Sequence, residues 1–428
     1  MSNAGNNSRI WRVGKEASWI VLGQIVSILG MLVLVRVLTE NLEPSQYGRL
    51  ALGITVATLV NQVITGSLSN GIGRFYSIAS EQDDIGGFYR ASGRLMFYAT
   101  LAVLGVGLVL LGGLLLIDYP QWLGIASAVL VFSLFNGYNT TMNGIQNAAR
   151  QRVIVAFHSG LDAWMKIILV LGVMYWHGQS ATSVIIGYAL SAFVVSISQF
   201  VMLWRQKNRQ DTTKKENTKW VREIWAYSWP FSTWGIFTWA QQSSDRWALE
   251  AFASTGQVGM YAVLFQLGYR PIAMVTGMAM TFFGPILYQR AGDGTDSTRN
   301  ASVHLLAWRI SFITLSATFI VFFLLLALHE AIFKMLVAEE YRNISNMLPW
   351  IVLAGGIFAA GQMLILKLMT EMKTAAMVRV KLTTSIVGVA LNYCGAAAVG
   401  IQGIVAAALV FSIIYFVWVF LLTVRQQS

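Results

Sequence analysis

The stretch RQKNRQDTTKKENTKWVR, from Arg205 to Arg222, divides this chain and decides how the rest of it folds. It is strongly hydrophilic, it lies near the midpoint of 428 residues, and seven of its side chains are basic. On either side the sequence consists mostly of apolar runs of about 20 residues, the length that an α-helix needs to cross a bilayer core. Basic loops of membrane proteins normally stay in the cytoplasm. The stretch therefore predicts a cytoplasmic linker, 205–222, between an N-terminal lobe, 1–204, and a C-terminal lobe, 223–428.

The composition is that of an integral membrane protein. Hydrophobic residues make up 56% of the chain and charged residues 11%, whereas soluble domains carry about 25% charged residues. The net charge of +11 comes mainly from short loops between apolar runs. Such basic residues are topology signals and contacts for anionic lipid headgroups, so no nucleic-acid partner is expected. The single cysteine, Cys394, excludes an intrachain disulfide framework.

Twelve apolar segments are candidate transmembrane helices. They lie at about 17–38, 50–69, 92–117, 122–143, 153–175, 181–204, 224–244, 258–284, 305–328, 346–368, 380–399 and 402–424. The first is too long for a cleavable signal peptide, so we expect it to remain as a span. With both termini inside, 22 Lys or Arg residues fall on the inner side and five on the outer side. This bias predicts that both termini are cytoplasmic.

The two halves of the sequence resemble one another at a fixed spacing. The matches, 210 or 211 residues apart, are Ser18-Trp19 with Ser228-Trp229, Gly48 with Gly259, and Gly73 with Gly284. Because each half has six spans, such a repeat is parallel, with its pseudo-two-fold axis along the membrane normal. Transporters often use this plan and bind substrate between the halves near the midplane.

Signals of an enzyme are missing from the sequence. There is no G-x-x-x-x-G-K-[ST] loop to hold nucleotide phosphates. The pair His329-Glu330 begins like a zinc helix, but Phe333 stands where the second histidine belongs. No pair of Cys and His residues has the spacing of metal ligands. The sequence predicts no catalytic residue, no metal and no cofactor.

Short motifs in a fixed order carry a resemblance to a known family. They are RVLTENLEPSQYG (36–48), SSDRWALEAFASTGQVGMYA (243–262), FFGPILYQRA (282–291), Lys373-Thr374, Asn392 and GIQGIVAAA (400–408). Together they resemble the polysaccharide transport family, the O-antigen flippase-like branch of the superfamily that also holds multidrug exporters and lipid II flippases. The resemblance covers nearly the whole chain. It implies an all-α integral membrane fold of two six-helix lobes, here twelve helices, V-shaped around a central cavity and working by alternating access.

Three ionisable residues of the fifth span share one helical face. His158, Asp162 and Lys166 lie at positions i, i+4 and i+8. A charge at the bilayer centre costs about 2.5–3.5 kcal/mol on insertion scales, so each calls for an explanation. Asp162 and Lys166 either neutralise one another against a neighbouring helix, or the three residues line the cavity. In the second case Lys166 meets a diphosphate oxygen or Asp162 takes a proton.

Arg270 lies near the middle of the eighth span, next to Pro271. Proline leaves a backbone carbonyl unpaired, which is common where a span lines a cavity. The planar guanidinium suits phosphate oxygens better than a lysine does. The sequence therefore favours contact with cargo or a role in gating. The alternative is a buried structural pair, for which Asp162 is the leading partner.

Each of the other polar residues has two possible roles. Arg36, Asp245 and Arg246 belong to the family motifs and lie near the outer ends of their spans, where we expect them to brace the lobes or to gate. Amide side chains bind sugar hydroxyls but also hold helices together. Both readings stay open for Asn61 and Gln62 of the second span and for one face of the fourth. That face carries Asn136, Asn139, Thr140, Asn143 and Gln146.

The function expected from the resemblance is that of an inner-membrane flippase. Its cargo is a lipid-linked oligosaccharide, carried on a polyprenyl diphosphate from the cytoplasmic to the outer leaflet, and a polysaccharide polymerase or ligase is a further partner. One alternative is a cation-coupled multidrug exporter, whose cavity should be more acidic or apolar than the charges Lys166, Arg270 and Asp162 suggest. Another is a membrane enzyme acting on polyprenyl-linked sugars, which usually needs acidic pairs or a large outer loop.

Overall fold

The computed structural model describes residues 2–119, 122–207, 219–291, 297–370 and 374–425. Residues 208–218 of the basic linker and Lys373 of the family motif lie outside this set. In the described ranges the chain forms helices joined by short turns, and none of these residues is in a β-strand. The expected all-α architecture is confirmed.

Thirteen α-helices follow one another in the described part of the chain. They are α1 (Ser2–Asn41), α2 (Pro44–Val60), α3 (Gly66–Glu81), α4 (Ile85–Leu116), α5 (Leu123–Ala148), α6 (Arg152–His177), α7 (Ala181–Lys207), α8 (Lys219–Phe252), α9 (Thr255–Ala291), α10 (Ser297–Leu336), α11 (Leu348–Thr370), α12 (Thr374–Val399) and α13 (Ile401–Arg425). A π-helical turn, Asn61–Thr65, joins α2 to α3, and a 3₁₀ segment, Glu339–Met347, precedes α11.

Eleven segments of the described chain are long and apolar enough to cross a membrane, with Pro44–Glu81 counted as one segment. The twelfth long helix, α8, contains the seventh predicted span and is more polar, because Ser, Thr and Gln side chains alternate with its tryptophans. The chain is therefore a multi-pass membrane protein, as predicted. The segment Pro44–Glu81 extends well beyond the predicted second span, which ends near residue 69.

The helices end where the sequence supplies the required turn residues. Asp84 caps α4, since its side chain accepts a hydrogen bond from the Gly87 amide at 3.0 Å. Gly178 after α6 and Gly400 after α12 have φ of 88° and 63°, a conformation that residues with a side chain rarely adopt. These turns are short, so the helices that they join are antiparallel, whereas α2 and α3 continue in one direction through the π-helical turn.

The chain forms two compact units. The N-terminal unit comprises Met1–Leu34 and Leu50–Trp239, and the C-terminal unit comprises Val35–Arg49 and Ala240–Ser428. The chain thus passes from one unit to the other inside α1, α2 and α8. The predicted lobes, 1–204 and 223–428, come from the topology and the repeat, and their boundaries stay a prediction.

In the N-terminal unit the first half of α8 packs against α3. Trp220 is 1% exposed, and its indole nitrogen donates to the Asp84 carboxylate at 2.7 Å. Farther along α8, Ser232 donates to the Ser67 hydroxyl at 2.9 Å. Buried side chains of α3, α4, α5, α7 and α8 form one hydrophobic core here. This core fixes the position of α3, which carries the polar surface described below.

In the C-terminal unit a pair of glycines tests the predicted repeat. Gly48 is the fifth residue of α2 and Gly259 is the fifth residue of α9. A Cβ on Gly48 would lie 1.9 Å from the Thr255 carbonyl oxygen, and a Cβ on Gly259 would lie 1.9 Å from the Pro44 carbonyl oxygen. Each glycine therefore meets the first residue of the other helix. This reciprocal contact is what a local two-fold axis between equivalent helices produces.

Candidate functional site

The charged residues of α6 are held by side chains of α7. Lys166 Nζ lies 2.5 Å from Asp162 Oδ2, and Ser191 donates to Asp162 Oδ1 at 3.1 Å. The lysine also lies 5.6 Å from the centre of the Tyr188 ring. The side chains of Lys166 and Asp162 are only 20% and 28% exposed. These contacts favour the self-neutralising pair, and the predicted contact with cargo stays a prediction.

His158 lies deeper in the same helix–helix interface. It is 1% exposed, its Nδ1 donates to the Ile154 carbonyl at 2.9 Å, and its Nε2 pairs with the Ser198 hydroxyl at 3.1 Å. Both ring nitrogens therefore have protein partners. The three residues do share one face of α6, as predicted, and that face packs against α7.

A pair of variants distinguishes the two roles of Asp162 and Lys166. Lys166→Ala leaves a partly buried carboxylate without its cation, so we expect less folded protein in the membrane, by the mechanism that makes broken buried pairs costly. The double variant Asp162→Asn with Lys166→Met removes both charges and should recover abundance and keep export within about threefold of wild type. The amount of cargo exported per molecule of protein distinguishes a structural ion pair from contact with cargo. Normal abundance with export lost in the double variant would place the pair in contact with cargo.

Two amide side chains of α5 form hydrogen bonds with α7. Asn139 is 7% exposed, donates to the Ala192 carbonyl at 3.1 Å and accepts from Ser196 at 2.8 Å. The amide oxygen of Asn143 accepts from Gln199 at 2.9 Å. These bonds hold α5 to α7, which is the helix-binding alternative. The predicted sugar contacts of Asn139 and Asn143 stay a prediction.

Asn61 and Gln62 begin the π-helical turn. The Asn61 side chain accepts from the Thr65 hydroxyl at 2.8 Å. A Cβ on Gly235 of α8 would lie 2.7 Å from the Gln62 carbonyl oxygen, so α8 passes very close to the turn. π-helical turns inside α-helices are frequent at functional sites. The geometry keeps both residues as candidates for substrate contact.

The charged residues of the family motifs make structural contacts in the C-terminal unit. Arg36 donates to the Val337 carbonyl at 2.9 Å. Asp245 accepts from the Tyr261 hydroxyl at 2.8 Å and pairs with Arg246 at 3.2 Å. The Arg246 guanidinium lies 4.5 Å from the centre of the Phe265 ring. These contacts join α1 to the end of α10 and α8 to α9.

Arg270 is exposed on α9, directly before Pro271. An exposed guanidinium in the middle of a membrane-spanning segment needs water or an anionic group around it. Arg270 also interacts with other groups of the chain. Whether it binds cargo stays a prediction.

The structure places a polar stripe on α3, in a segment that the sequence predicts to be a loop. Asn70, Arg74 and Ser77 are exposed at positions i, i+4 and i+7 of the helix. Asn70 lies eleven residues before Glu81, the last residue of α3, or about 16 Å at the helical rise. An asparagine side chain cannot reach the headgroups from that depth. Asn70 therefore faces water or polar cargo rather than lipid, and Arg74 and Ser77 share its face of the helix.

The α3 stripe lies beside polar residues of α5. Ser69, next to Asn70, donates to the Thr140 carbonyl at 3.3 Å. A Cβ on Gly137 of α5 would lie 2.7 Å from the Thr65 side chain, so the two helices approach closely. Thr140 itself is exposed. We call the residues Asn70, Arg74, Ser77 and Thr140 the polar face of the N-terminal unit.

The helical spacing of the polar residues of the α3 stripe is visible in the sequence. Polar residues at 70, 74 and 77 alternate with apolar ones at helical spacing. Gly66, Gly71 and Gly73 interrupt the apolar run, which favours ending the span too early. The structure continues the helix through them because small residues let α3 approach its neighbours. At Gly71 a Cβ would lie 2.0 Å from the Ser228 hydroxyl.

The sequence of this chain matches a known protein family. The sequence model of a family described as "Polysaccharide biosynthesis protein" matches residues 13–289, which is more than half of the chain. A search of curated proteins finds no match.

Solved structures of one transporter superfamily share the fold. A lipid II flippase, MurJ, in an inward closed conformation has a TM-score of 0.71 and 11% identity over 96% of this chain and 87% of its own. An inward-facing multidrug resistance MATE transporter of the MOP superfamily has a TM-score of 0.65 and 13% identity over 96% and 95%. A MOP superfamily transporter from Pyrococcus furiosus has a TM-score of 0.63 and 14% identity over 96% and 97%. With the family match, these findings confirm the resemblance seen in the sequence motifs.

Proposed function

This chain belongs to the polysaccharide biosynthesis protein family, and from that premise we propose that it is a flippase for a lipid-linked oligosaccharide. The observation that carries the proposal is the polar face of the N-terminal unit. It places a guanidinium, an amide and hydroxyl groups on the surface of membrane-spanning helices. A lipid-linked sugar needs these groups, because phosphate oxygens and sugar hydroxyls must leave water to cross a bilayer.

The chemistry divides between the two parts of the cargo. Arg74 can donate two parallel hydrogen bonds to phosphate oxygens. Asn70, Ser77 and Thr140 offer donors and acceptors to sugar hydroxyls. The lipid tail needs no protein groups, since it stays in the bilayer while the head group crosses. Contact of Arg270 with cargo, or a role in gating, is a separate proposal that rests on the position of this residue in the middle of α9.

A multidrug exporter is the second candidate, since a MATE transporter shares the fold. The charged group of the polar face is basic, and Asp162, which could bind a cation, is already paired with Lys166. A basic surface suits an anionic cargo better than a cationic drug. The polar face therefore favours the flippase. Family and fold neighbours are transporters, and we propose no enzymatic activity for the chain.

We propose that the protein lies in the inner membrane with both termini and the basic linker in the cytoplasm. The support is the excess of Lys and Arg on one side of the helices. In a Cys394→Ala background, an impermeant thiol reagent applied from outside should label Ser254→Cys between α8 and α9. It should not label Thr213→Cys in the linker. Labelling of Thr213→Cys with Ser254→Cys protected would invert the topology.

Depletion of the protein in its own cell tests the function. We expect lipid-linked oligosaccharide to accumulate in the cytoplasmic leaflet, since the carrier lipid is loaded there. A polysaccharide polymerase or ligase that consumes the exported precursor should lose its substrate. The measurement is the amount of lipid-linked oligosaccharide in each leaflet after depletion. An unchanged distribution, together with unchanged polysaccharide at the surface, would exclude this cargo class.

A further inference from the structure

One glycine of α3, Gly73, has room for a side chain. At Gly71, two residues earlier, a Cβ would lie 2.0 Å from the Ser228 hydroxyl, so close packing explains the glycine there. A Cβ on Gly73 would have one atom of the described chain within 4 Å, the Gly144 carbonyl oxygen at 3.8 Å, which is ordinary van der Waals contact. Alanine would fit at this position and would favour the helix. Packing inside the N-terminal unit therefore does not explain Gly73.

Gly73 lies at the seam between α3 and α5, which run in the same direction. A Cβ on Gly137 would lie 2.7 Å from the side chain of Thr65, directly before α3, and a Cβ on Gly144 would lie 2.9 Å from the Ser69 hydroxyl. At these two levels a side chain before or on α3 fills the space that a glycine of α5 leaves. One turn farther along α3, Gly73 faces Gly144, and neither residue supplies a side chain. The seam therefore has an opening at Gly73.

Polar side chains border this opening on both helices. On α3 they are the three exposed residues of the polar face, Asn70, Arg74 and Ser77. On α5, the half-buried Asn143 directly precedes Gly144. Its amide oxygen accepts from Gln199 at 2.9 Å, and its amide nitrogen carries two further donor hydrogens. The opening thus combines a bare backbone floor with a border of hydrogen-bonding groups.

A sugar ring suits these surroundings better than a lipid chain or a phosphate does. Glycine lets a ligand approach the backbone closely, so the C–H face of a pyranose can lie on Gly73. Its hydroxyl groups then reach the Asn143 amide and the Gly144 carbonyl oxygen, which has a second lone pair. A lipid chain would leave the bordering polar groups without partners. A phosphate is disfavoured on the α5 side because that helix ends at Ala148, and a helix C-terminus carries partial negative charge.

We propose that the opening at Gly73 is the subsite for the sugar attached directly to the diphosphate, and that Gly73 determines whether this sugar fits. This inference rests on the proposed function. Arg74, the proposed phosphate contact, is the next residue of the chain, so phosphate and first sugar are bound side by side, as they are linked in the cargo. A side chain at position 73 would occupy the volume of the ring.

Binding of two lipids to the purified protein tests the subsite. One is the lipid-linked oligosaccharide extracted from cells depleted of the protein, and the other is polyprenyl diphosphate without sugar. Gly73→Leu should weaken binding of the first about tenfold, because leucine fills the opening, and should leave binding of the second within twofold of wild type. Arg74→Gln should weaken binding of both lipids, since both carry the diphosphate.

Two further variants control for damage to the fold. Gly105 of α4 is exposed, and nothing lies within 4 Å of its Cβ position. Gly105→Leu is therefore the matched control and should bind both lipids within twofold of wild type. Gly73→Ala adds one methyl group for which the protein has room, so it should reach normal abundance and weaken binding of the oligosaccharide lipid about threefold. It replaces Gly73→Leu in the test if leucine lowers abundance.

The outcomes separate the subsite from the transport function. Wild-type affinity of Gly73→Ala and Gly73→Leu for the oligosaccharide lipid would overturn the subsite. An equal loss of affinity for both lipids in Gly73→Leu would also overturn it, because the opening would then not distinguish the sugar. If depleted cells accumulate no lipid-linked oligosaccharide, or if the wild-type protein binds neither lipid, the proposed function itself fails and the subsite with it.

Discussion

Replacement of Arg74 by glutamine should reduce export of lipid-linked oligosaccharide by about 10- to 100-fold. A hydrogen bond to a charged group contributes about 1.5–3 kcal/mol, and each 1.4 kcal/mol is about tenfold in a binding constant. Abundance should stay normal, because Arg74 is exposed and takes no part in the core of the N-terminal unit. Arg74→Lys keeps the charge but loses the planar guanidinium, so its export should lie between that of wild type and that of Arg74→Gln. The measurement is lipid-linked oligosaccharide left in the cytoplasmic leaflet per molecule of protein.

The matched control for Arg74 is Arg150→Gln. Arg150 is also an exposed arginine of the N-terminal unit, but it lies in the turn between α5 and α6, with φ of 57°. Export by the Arg150→Gln protein should be within twofold of export by the wild type. Equal export by Arg74→Gln and Arg150→Gln, at equal abundance, would remove the polar face from the account of cargo binding.

Replacement of Gly48 or Gly259 by alanine should destabilise the folded protein by about 3 kcal/mol or more. Extra atoms in a tight core typically cost about 1–3 kcal/mol, and here the new Cβ would lie 1.9 Å from a backbone oxygen. A backbone atom cannot move aside by changing rotamer, so α2 and α9 must separate. The helix propensity gained from alanine, about 1 kcal/mol, is too small to compensate. Thermal unfolding in detergent measures the change.

Gly113→Ala in α4 is the control, since nothing lies within 4 Å of its Cβ position. It should be neutral or slightly stabilising. The double variant Gly48→Ala with Gly259→Ala should be less destabilised than the sum of the two, because the first substitution already separates the helices. Strict additivity would contradict the reciprocal contact.

The sequence predicts the fold well because the membrane imposes simple rules on it. Apolar runs of span length locate the helices, and the bias in basic residues sets their expected orientation. The glycine spacing of 211 residues pairs Gly48 with Gly259, which the structure brings into contact. Both positions hold glycine because each helix backbone lies directly against the other at this contact and leaves no room for a Cβ.

The polar site is harder to predict because a sequence shows which residues share a face but not what the face meets. His158, Asp162 and Lys166 do lie on one face of α6, and that face packs on α7. Asn139 likewise bonds to α7. Arg74 is missed for the opposite reason: its glycine-rich surroundings look like a loop, and tertiary packing makes them a helix.

Purified protein in lipid vesicles tests the central claim most directly. Vesicles carry a polyprenyl diphosphate-linked oligosaccharide in both leaflets, and an impermeant glycosidase outside digests what it can reach. Without protein, digestion should stop when the outer leaflet is exhausted, at about half. With the wild-type chain it should proceed to near completion, and with Arg74→Gln at least tenfold more slowly. Digestion that stops at half with folded wild-type protein in the vesicles would contradict the account.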